Sequence, residues 1–224
     1  MIVVHYLENS RAHRILWLLE ELGLPYDINV YRRGRDMRAP QSLKAVHPLG
    51  KSPVIEDGGR VIAESGAIIE YLIDTYHGET LRPAPGTDER LRYTYFLHYA
   101  EGSAMPLLVM KLIFSKLPGQ VPFVVRPFAA LIAKGASAQF IDPQLKEHLK
   151  LWEESLARDG YFAGGEFTAA DIAMSFPVEA AMSRSEGAAL AVSPAIRRYL
   201  EAIRTRPAYQ RALSRGGAYA FAKT

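Results

Sequence analysis

The sequence predicts an α/β domain followed by an all-helical domain. Three observations carry that prediction: the chain opens on a strand, helix, strand order; a hairpin turned on glycines falls near residue 58; and beyond residue 88 every apolar pattern has a helical period. With 224 residues, 49% hydrophobic and 23% charged, the chain has the length and composition of a globular protein that buries one large or two smaller cores.

Ile2 to Leu7 is rich in β-branched residues and reads as a strand. Arg11 to Gly23 places Ile15, Leu16, Leu18, Leu19 and Leu22 on a broad helical face and stops at Gly23 and Pro25. Tyr26 to Tyr31 is a second strand, RRGRD a polar loop, and Pro40 to Val46 a short helix ended before Pro48, because the residue preceding a proline is pushed out of the helical region. Val54 to Glu56 and Arg60 to Ala63 are two short strands around a glycine turn, and Glu64 to Tyr76 is a helix with Ile68, Ile69, Leu72 and Ile73 inward. A parallel βαβ unit, an antiparallel hairpin and a closing helix make a thioredoxin-like order of elements, expected over residues 1–78.

Residues 79–87, rich in Pro and Gly, read as a linker, and 88–224 as the helical domain, with helices over 88–116, 123–138, 142–158, 168–184 and 193–206. One helix start is unusually well specified. In Phe167-Thr168-Ala169-Ala170-Asp171-Ile172, Thr168 is placed to cap the Asp171 amide, Asp171 to reach back to the Thr168 amide, and Phe167 to staple onto Ile172.

Composition excludes several chemistries. There is no cysteine, so disulfides, thiolate metal sites and a protein thiol nucleophile are ruled out, and any thiol chemistry uses a thiol from outside. The six histidines show no HxxxH or HExxH spacing, which gives no support to a metal centre. The net charge is +3, and its basic excess lies beyond residue 80, scattered at helical spacings without interleaved aromatics; a solvated basic face is expected, not a nucleic-acid surface. MIVVHYL lacks the basic start of a signal peptide. AMPLLVMKLIF and VPFVVRPFAALIA are broken by Pro106, Lys111, Pro122, Arg126 and Pro127, short of the ~20 residues a membrane span needs, so buried helices, no stable membrane insertion and a cytoplasmic protein are expected.

The stretch GKSPVIEDGGRVIAES, residues 50–65, concentrates the candidate site. A cis Ser52-Pro53 bond at a strand start leaves the Ser52 peptide groups able to pair with an extended peptide-like ligand; a trans proline there only protects the edge. Glu64-Ser65 opens a helix, whose unpaired N–H groups attract a carboxylate while the Glu64 carboxylate suits an ammonium group; the alternative is plain capping. Together the two ends form a receptor for a small peptide with a free α-amino-acid terminus.

GKSPVIEDGGRVIAESGAIIEYL, with HYLENSRAHRILWLLEELGLPY before it and TAAD later, resembles the glutathione transferase superfamily over the whole chain, and most nearly its bacterial and fungal theta-like group. The resemblance implies a cytosolic homodimer that uses glutathione as co-substrate, without a metal, to conjugate apolar electrophiles in detoxification. Carried over residue by residue, Ser52 pairs with the cysteinyl backbone, Pro53 is cis, Glu64 and Ser65 hold the γ-glutamyl end, and Lys51 and Arg38 face the glycine carboxylate. Ser10 is implied as the group that activates the thiol, with Tyr6 and Asn9 as alternatives. Tyr99, Ser103 and Met105 are expected to line the electrophile pocket, and Glu101 to reach the partner subunit's glutathione. A glutathione-dependent peroxidase or disulfide reductase, and a non-catalytic glutathione-binding protein, are the rival functions.

Overall fold

The computed structural model describes residues 1–34, 39–184, 193–217 and 219–223. β1 (Ile2–Leu7) and β2 (Tyr26–Tyr31) run parallel and are joined by α1 (His13–Glu21), the crossover that a parallel pair requires. After α2 (Gln41–Val46), β3 (Val54–Asp57) pairs antiparallel with β1 and with β4 (Arg60–Ala63), giving the order β2-β1-β3-β4. Gly58 and Gly59 turn that hairpin at φ 54° and 82°, left-handed values that glycine adopts without a Cβ clash. α3 (Ser65–Thr75) buries Ile68, Ile69, Leu72 and Ile73, as its period predicts. The first helix starts at His13, later than its apolar pattern suggests, because the Ser10 hydroxyl accepts from the Ala12 amide at 3.2 Å and keeps residues 10–12 in a turn.

The helical half comprises α4 (Asp88–Tyr99), α5 (Met105–Lys116), α6 (Arg126–Ala136), α7 (Asp142–Asp159), α8 (Ala169–Arg184), α9 (Pro194–Arg204) and α10 (Pro207–Gly216). π-helical turns at Ala100–Ala104 and Ser137–Ile141 splice α4 to α5 and α6 to α7. The Thr87 hydroxyl caps α4, accepting from the Arg90 amide at 3.1 Å.

A single apolar core runs through both halves. Its seam is α1 against α8 and α10, where the Trp17 ring lies 5.5 Å from Phe167 and meets Tyr209 edge-on at 5.0 Å. α10, which the sequence pattern does not announce, approaches closely because residue 216 is glycine: a Cβ there would lie 2.7 Å from Leu16 Cδ1. Polar clamps flank the seam. Arg206 donates to both Glu21 oxygens at 2.6 and 2.9 Å, and its guanidinium sits 3.7 Å over the Phe167 ring.

One expectation fails and another holds only in part. The apolar stretch after residue 112 does not form buried helices: Ala133 is the buried residue of α6, while Phe128 and Leu131 are each 70% exposed. In the Thr168–Asp171 box, Asp171 reaches back to the Thr168 amide as expected, but the Asp171 amide is taken by the Thr168 carbonyl and not by its hydroxyl. The fully buried Asp171 carboxylate accepts from the Thr168 amide (2.8 Å), the Thr168 hydroxyl (3.1 Å) and the Phe162 amide (2.9 Å), while the Asp171 amide donates to the Thr168 carbonyl (3.0 Å). The carboxylate thus ties the preceding loop to the start of α8, and the Phe167 ring packs on Trp17. Burial pushes the Asp171 pKa up to about 6 against the pull of these donors.

Asp171→Asn turns an amide NH2 toward groups that all donate, and it is expected to lower the unfolding free energy in urea by about 2–4 kcal/mol. A loss under about 0.5 kcal/mol would show that the network does not hold the α8 start.

His13 supplies a pH test. It is buried, stacked on Tyr219 at 4.4 Å and edge-on to Tyr209 at 5.1 Å, with no hydrogen-bond partner for either ring nitrogen among the described residues. Burial pushes its pKa down to about 3, so the unfolded chain binds this proton more tightly than the folded one. The stability this gives is present above the unfolded value of about 6.5 and is lost as pH falls towards 3, at up to about 1.4 kcal/mol per pH unit. Asp171, with its raised pKa, works in the opposite direction, so a difference against His13→Phe isolates the histidine. Between pH 7.5 and 5.5, the native chain is expected to lose about 1.4 kcal/mol more than His13→Phe. Equal losses would contradict the assignment.

Candidate active site

A cleft of about 750 Å³ lies between the two halves. One wall is polar and comes from the α/β half: Asn9 and Ser10 from the β1–α1 turn, Arg11 beside them, Lys44 from α2, and Lys51 and Ser52 from the loop before β3. The other is apolar and comes from the helical half. Met105, Val109 and Leu112 stand at helical spacing on α5, facing Phe176 and Ala180 of α8 and Phe221 near the C-terminus.

Ser52 and Pro53 are joined by a cis peptide bond. The ladders to β1 and to β4 both begin at Val54, so the Ser52 peptide groups lie beyond the sheet, open to a ligand backbone. The Ser52 hydroxyl, in contrast, is used by the chain itself. It donates to the His5 carbonyl at 2.8 Å and accepts from the Leu7 amide at 3.1 Å and the Ser10 hydroxyl at 3.4 Å. Ser10 is largely buried, and its proton points along that long bond to Ser52, a weak commitment that leaves it free to turn to a stronger acceptor in the cleft.

The alternatives to Ser10 are placed differently. Asn9, at φ 51°, lines the cleft, but its Oδ1 accepts from the Ala220 amide at 2.9 Å, so its side chain fastens the C-terminal segment over the site. Tyr6 is buried off the cleft against α10; its hydroxyl has no partner among the described residues, and burial pushes its pKa up to about 12.

Glu64 and Ser65 lie at the start of α3, outside the enclosed part of the cleft. Glu64 is exposed and held at φ 72°, ψ 123°, a conformation that costs a non-glycine residue about 1–3 kcal/mol. Ser65 is buried, and its hydroxyl accepts from Arg14 at 3.0 Å. Arg38 lies outside the described residues.

Two of the three expected pocket contacts need correction. Tyr99 is turned into the helical core, where its hydroxyl accepts from Trp152 Nε1 at 3.1 Å and bonds His148 Nδ1. Ser103 is exposed and off the cleft, and Met105 alone of the three lines it. The two sets lie on different helix faces: residues 105, 109 and 112 follow one another at helical spacing along the cleft, and 99 and 103 are out of phase with them. Glu101, expected to reach the partner subunit's glutathione, makes ion pairs within its own chain, with Arg14 and with Arg11 at 3.2 Å.

Arg14 is the residue that sequence reasoning missed. Fully buried on α1, it donates to the Ala173 carbonyl on α8 at 2.6 Å, to Ser65 and to Glu101. A cation inside the apolar run HRILWLL is the signal that marks it.

Two family descriptions match the chain: the glutathione S-transferase N-terminal domain over residues 10–75 and the C-terminal domain over residues 105–207. Glutathione S-transferase 1 of Saccharomyces cerevisiae is 35% identical over 217 residues, covering 93% of this chain and 92% of the yeast protein. Glutathione S-transferase 3 of Schizosaccharomyces pombe is 38% identical over 182 residues, 81% of this chain and 74% of its own. Among solved structures, a glutathione S-transferase from Actinobacillus pleuropneumoniae superposes with a TM-score of 0.80 at 36% identity, covering 100% of this chain and 97% of the other. A glutathione transferase from Phanerochaete chrysosporium with oxidized glutathione shares the fold at a TM-score of 0.76 and 20% identity, over 96% and 94% of the two chains.

Proposed function

This chain belongs to the glutathione S-transferase family, and we propose that its cleft holds glutathione along the polar wall and an apolar electrophile against the helical wall. The observation that carries this reading is the pairing of the two walls in one cleft, peptide groups and cations facing a stripe of apolar side chains. The reaction is glutathione conjugation. Residues 1–78 are the glutathione-binding domain, with the linker 79–87 leading to the helical domain 88–224.

Glutathione lies with its cysteinyl backbone paired to the Ser52 peptide groups. Its γ-glutamyl carboxylate meets the free amides at the start of α3 and the Ser65 hydroxyl, and its ammonium group meets Glu64. The glycine carboxylate faces Lys51, with Lys44 on the same wall, and Arg38 is the second cation proposed for it. Ser10 swings its hydroxyl from Ser52 to the sulfur and donates to the thiolate; the proton leaves to solvent. Lowering a thiol pKa by two units takes about 2.7 kcal/mol of preferential thiolate stabilisation, within reach of one hydrogen bond to a charged acceptor together with the positive end of α1. The sulfur lone pair then forms the C–S bond while the electrophile's leaving group, or its conjugated π bond, takes up the displaced electron pair. Met105, Val109 and Leu112 exclude water from that step.

The enzyme acts as a cytoplasmic homodimer. No helix among the described residues is long and apolar enough to cross a membrane. Leu91 and Tyr95, four residues apart on α4, and Val61 on β4 are exposed apolar groups that suit a subunit contact.

The activating group is tested by the ultraviolet thiolate absorbance of bound glutathione against pH. Ser10→Ala is expected to raise the thiolate pKa by about 1–2 units and lower kcat/KM by about 10- to 100-fold, while Tyr6→Phe changes neither. An unaltered pKa in Ser10→Ala with a raised one in Tyr6→Phe would move the role to Tyr6. Failure of the native chain to bind glutathione would remove the whole reading.

A further inference from the structure

The tip formed by the end of α5, the 3-10 turns Leu117–Gln120 and Phe123–Val125, and α6 has no cover from the other described residues. Phe123 is 77% exposed, and Val124, Phe128, Leu131 and Ile132 are all exposed large apolar groups. A surface helix ordinarily turns its apolar stripe inward; here the stripe of α6 faces out. The charge is single-signed as well. Residues 102–141 contain Lys111, Lys116, Arg126 and Lys134 and no Asp or Glu. From the next helix, Asp142 pairs with Lys111 at 2.5 Å, and Lys116, Arg126 and Lys134 are exposed.

These two features select the occupant. A second copy seated symmetrically on this face would bring its cations against their own equivalents, with no acidic group on the tip to offset them. An anionic lipid surface satisfies both features, since apolar side chains enter the boundary between headgroups and acyl chains while the cations meet lipid phosphates and carboxylates. We propose that the α5–α6 tip is a docking surface for anionic membranes, and that the protein binds them peripherally. The apolar strip also continues to the cleft: Val109 lines it, and Ile113, one turn on along α5, is 57% exposed. Docking by the tip therefore sets the apolar wall of the cleft next to the phase in which apolar small molecules collect.

The test is co-sedimentation of the full chain with vesicles of phosphatidylcholine alone and of phosphatidylcholine mixed with phosphatidylserine, at low and high salt. The expected result is binding to the mixed vesicles that weakens with salt. Phe128→Ser/Leu131→Ser is expected to lower the partition coefficient at least about tenfold, and Lys116→Glu/Lys134→Glu to remove the preference for phosphatidylserine by a similar factor. None of these side chains lines the cleft, so conjugation measured without vesicles reports that the variants are folded. The proposal is overturned if the native chain stays in the supernatant with mixed vesicles at low salt, or if both variants bind as well as it does. It is equally overturned if Phe128→Ser/Leu131→Ser turns a dimer into a monomer in sedimentation velocity, which assigns the face to a second copy.

Discussion

The buried guanidinium of Arg14 is the contact on which the arrangement of the two halves depends. A cation removed from water is tolerated only when its donors are matched, and breaking such a set costs about 3–5 kcal/mol, because the charge that remains is left unpaired. Arg14 spends its donors on three different elements: the Ala173 carbonyl of α8, the Ser65 hydroxyl at the start of α3, and Glu101 where α4 turns into α5. The Phe176 ring lies 5.5 Å from the same guanidinium, so one side chain also touches the apolar wall of the cleft. The planar fork fixes directions that a lysine ammonium would not. Both walls are therefore registered against one group, and the start of α3, proposed above to hold the γ-glutamyl end, is part of that register.

Ser52 plays the corresponding part inside the α/β half. Its hydroxyl joins the end of β1 to the loop before β3, and it holds the Ser10 hydroxyl in waiting. Division of labour follows: the Ser52 peptide groups lie beyond the sheet ladders, and its side chain ties the loop to β1. The strained backbone at Glu64 belongs to the same economy of position, since it aims an acidic side chain and the first amides of α3 at one place. Glu101 reinforces this from the other domain by neutralising Arg11 and Arg14, so that the polar wall does not present an unbalanced cluster of cations.

Much of this was legible in the sequence wherever the determinants are local. The glycine turn at 58–59, the Ser52-Pro53 dipeptide, the Glu64-Ser65 helix start and the periods of α1 and α3 each act within a few residues, and the fold of the first half follows from them. What escaped the sequence depends on distant partners. Which face of α4 and α5 meets the cleft is decided by tertiary packing: Tyr99 is taken up by Trp152 and His148, and Met105, Val109 and Leu112 line the cleft. Asp171 was visible as a cap, but its bond to Phe162 needed a loop that only tertiary structure supplies. α6 misled for the opposite reason: apolar content read as burial, whereas nothing among the described residues covers it.

If one network registers both the domain seam and the glutathione receptor, Arg14 and Glu101 must act on ligand binding as a unit. The direct measurement is a double-mutant cycle with Arg14→Lys and Glu101→Gln, read by titration calorimetry of glutathione on native and variant chains. The account predicts that each single change weakens binding by about tenfold and that the double change is no worse than either, a coupling energy of at least about 1 kcal/mol. Effects that add to within about 0.3–0.5 kcal/mol would show that the two residues serve separate ends and would contradict it.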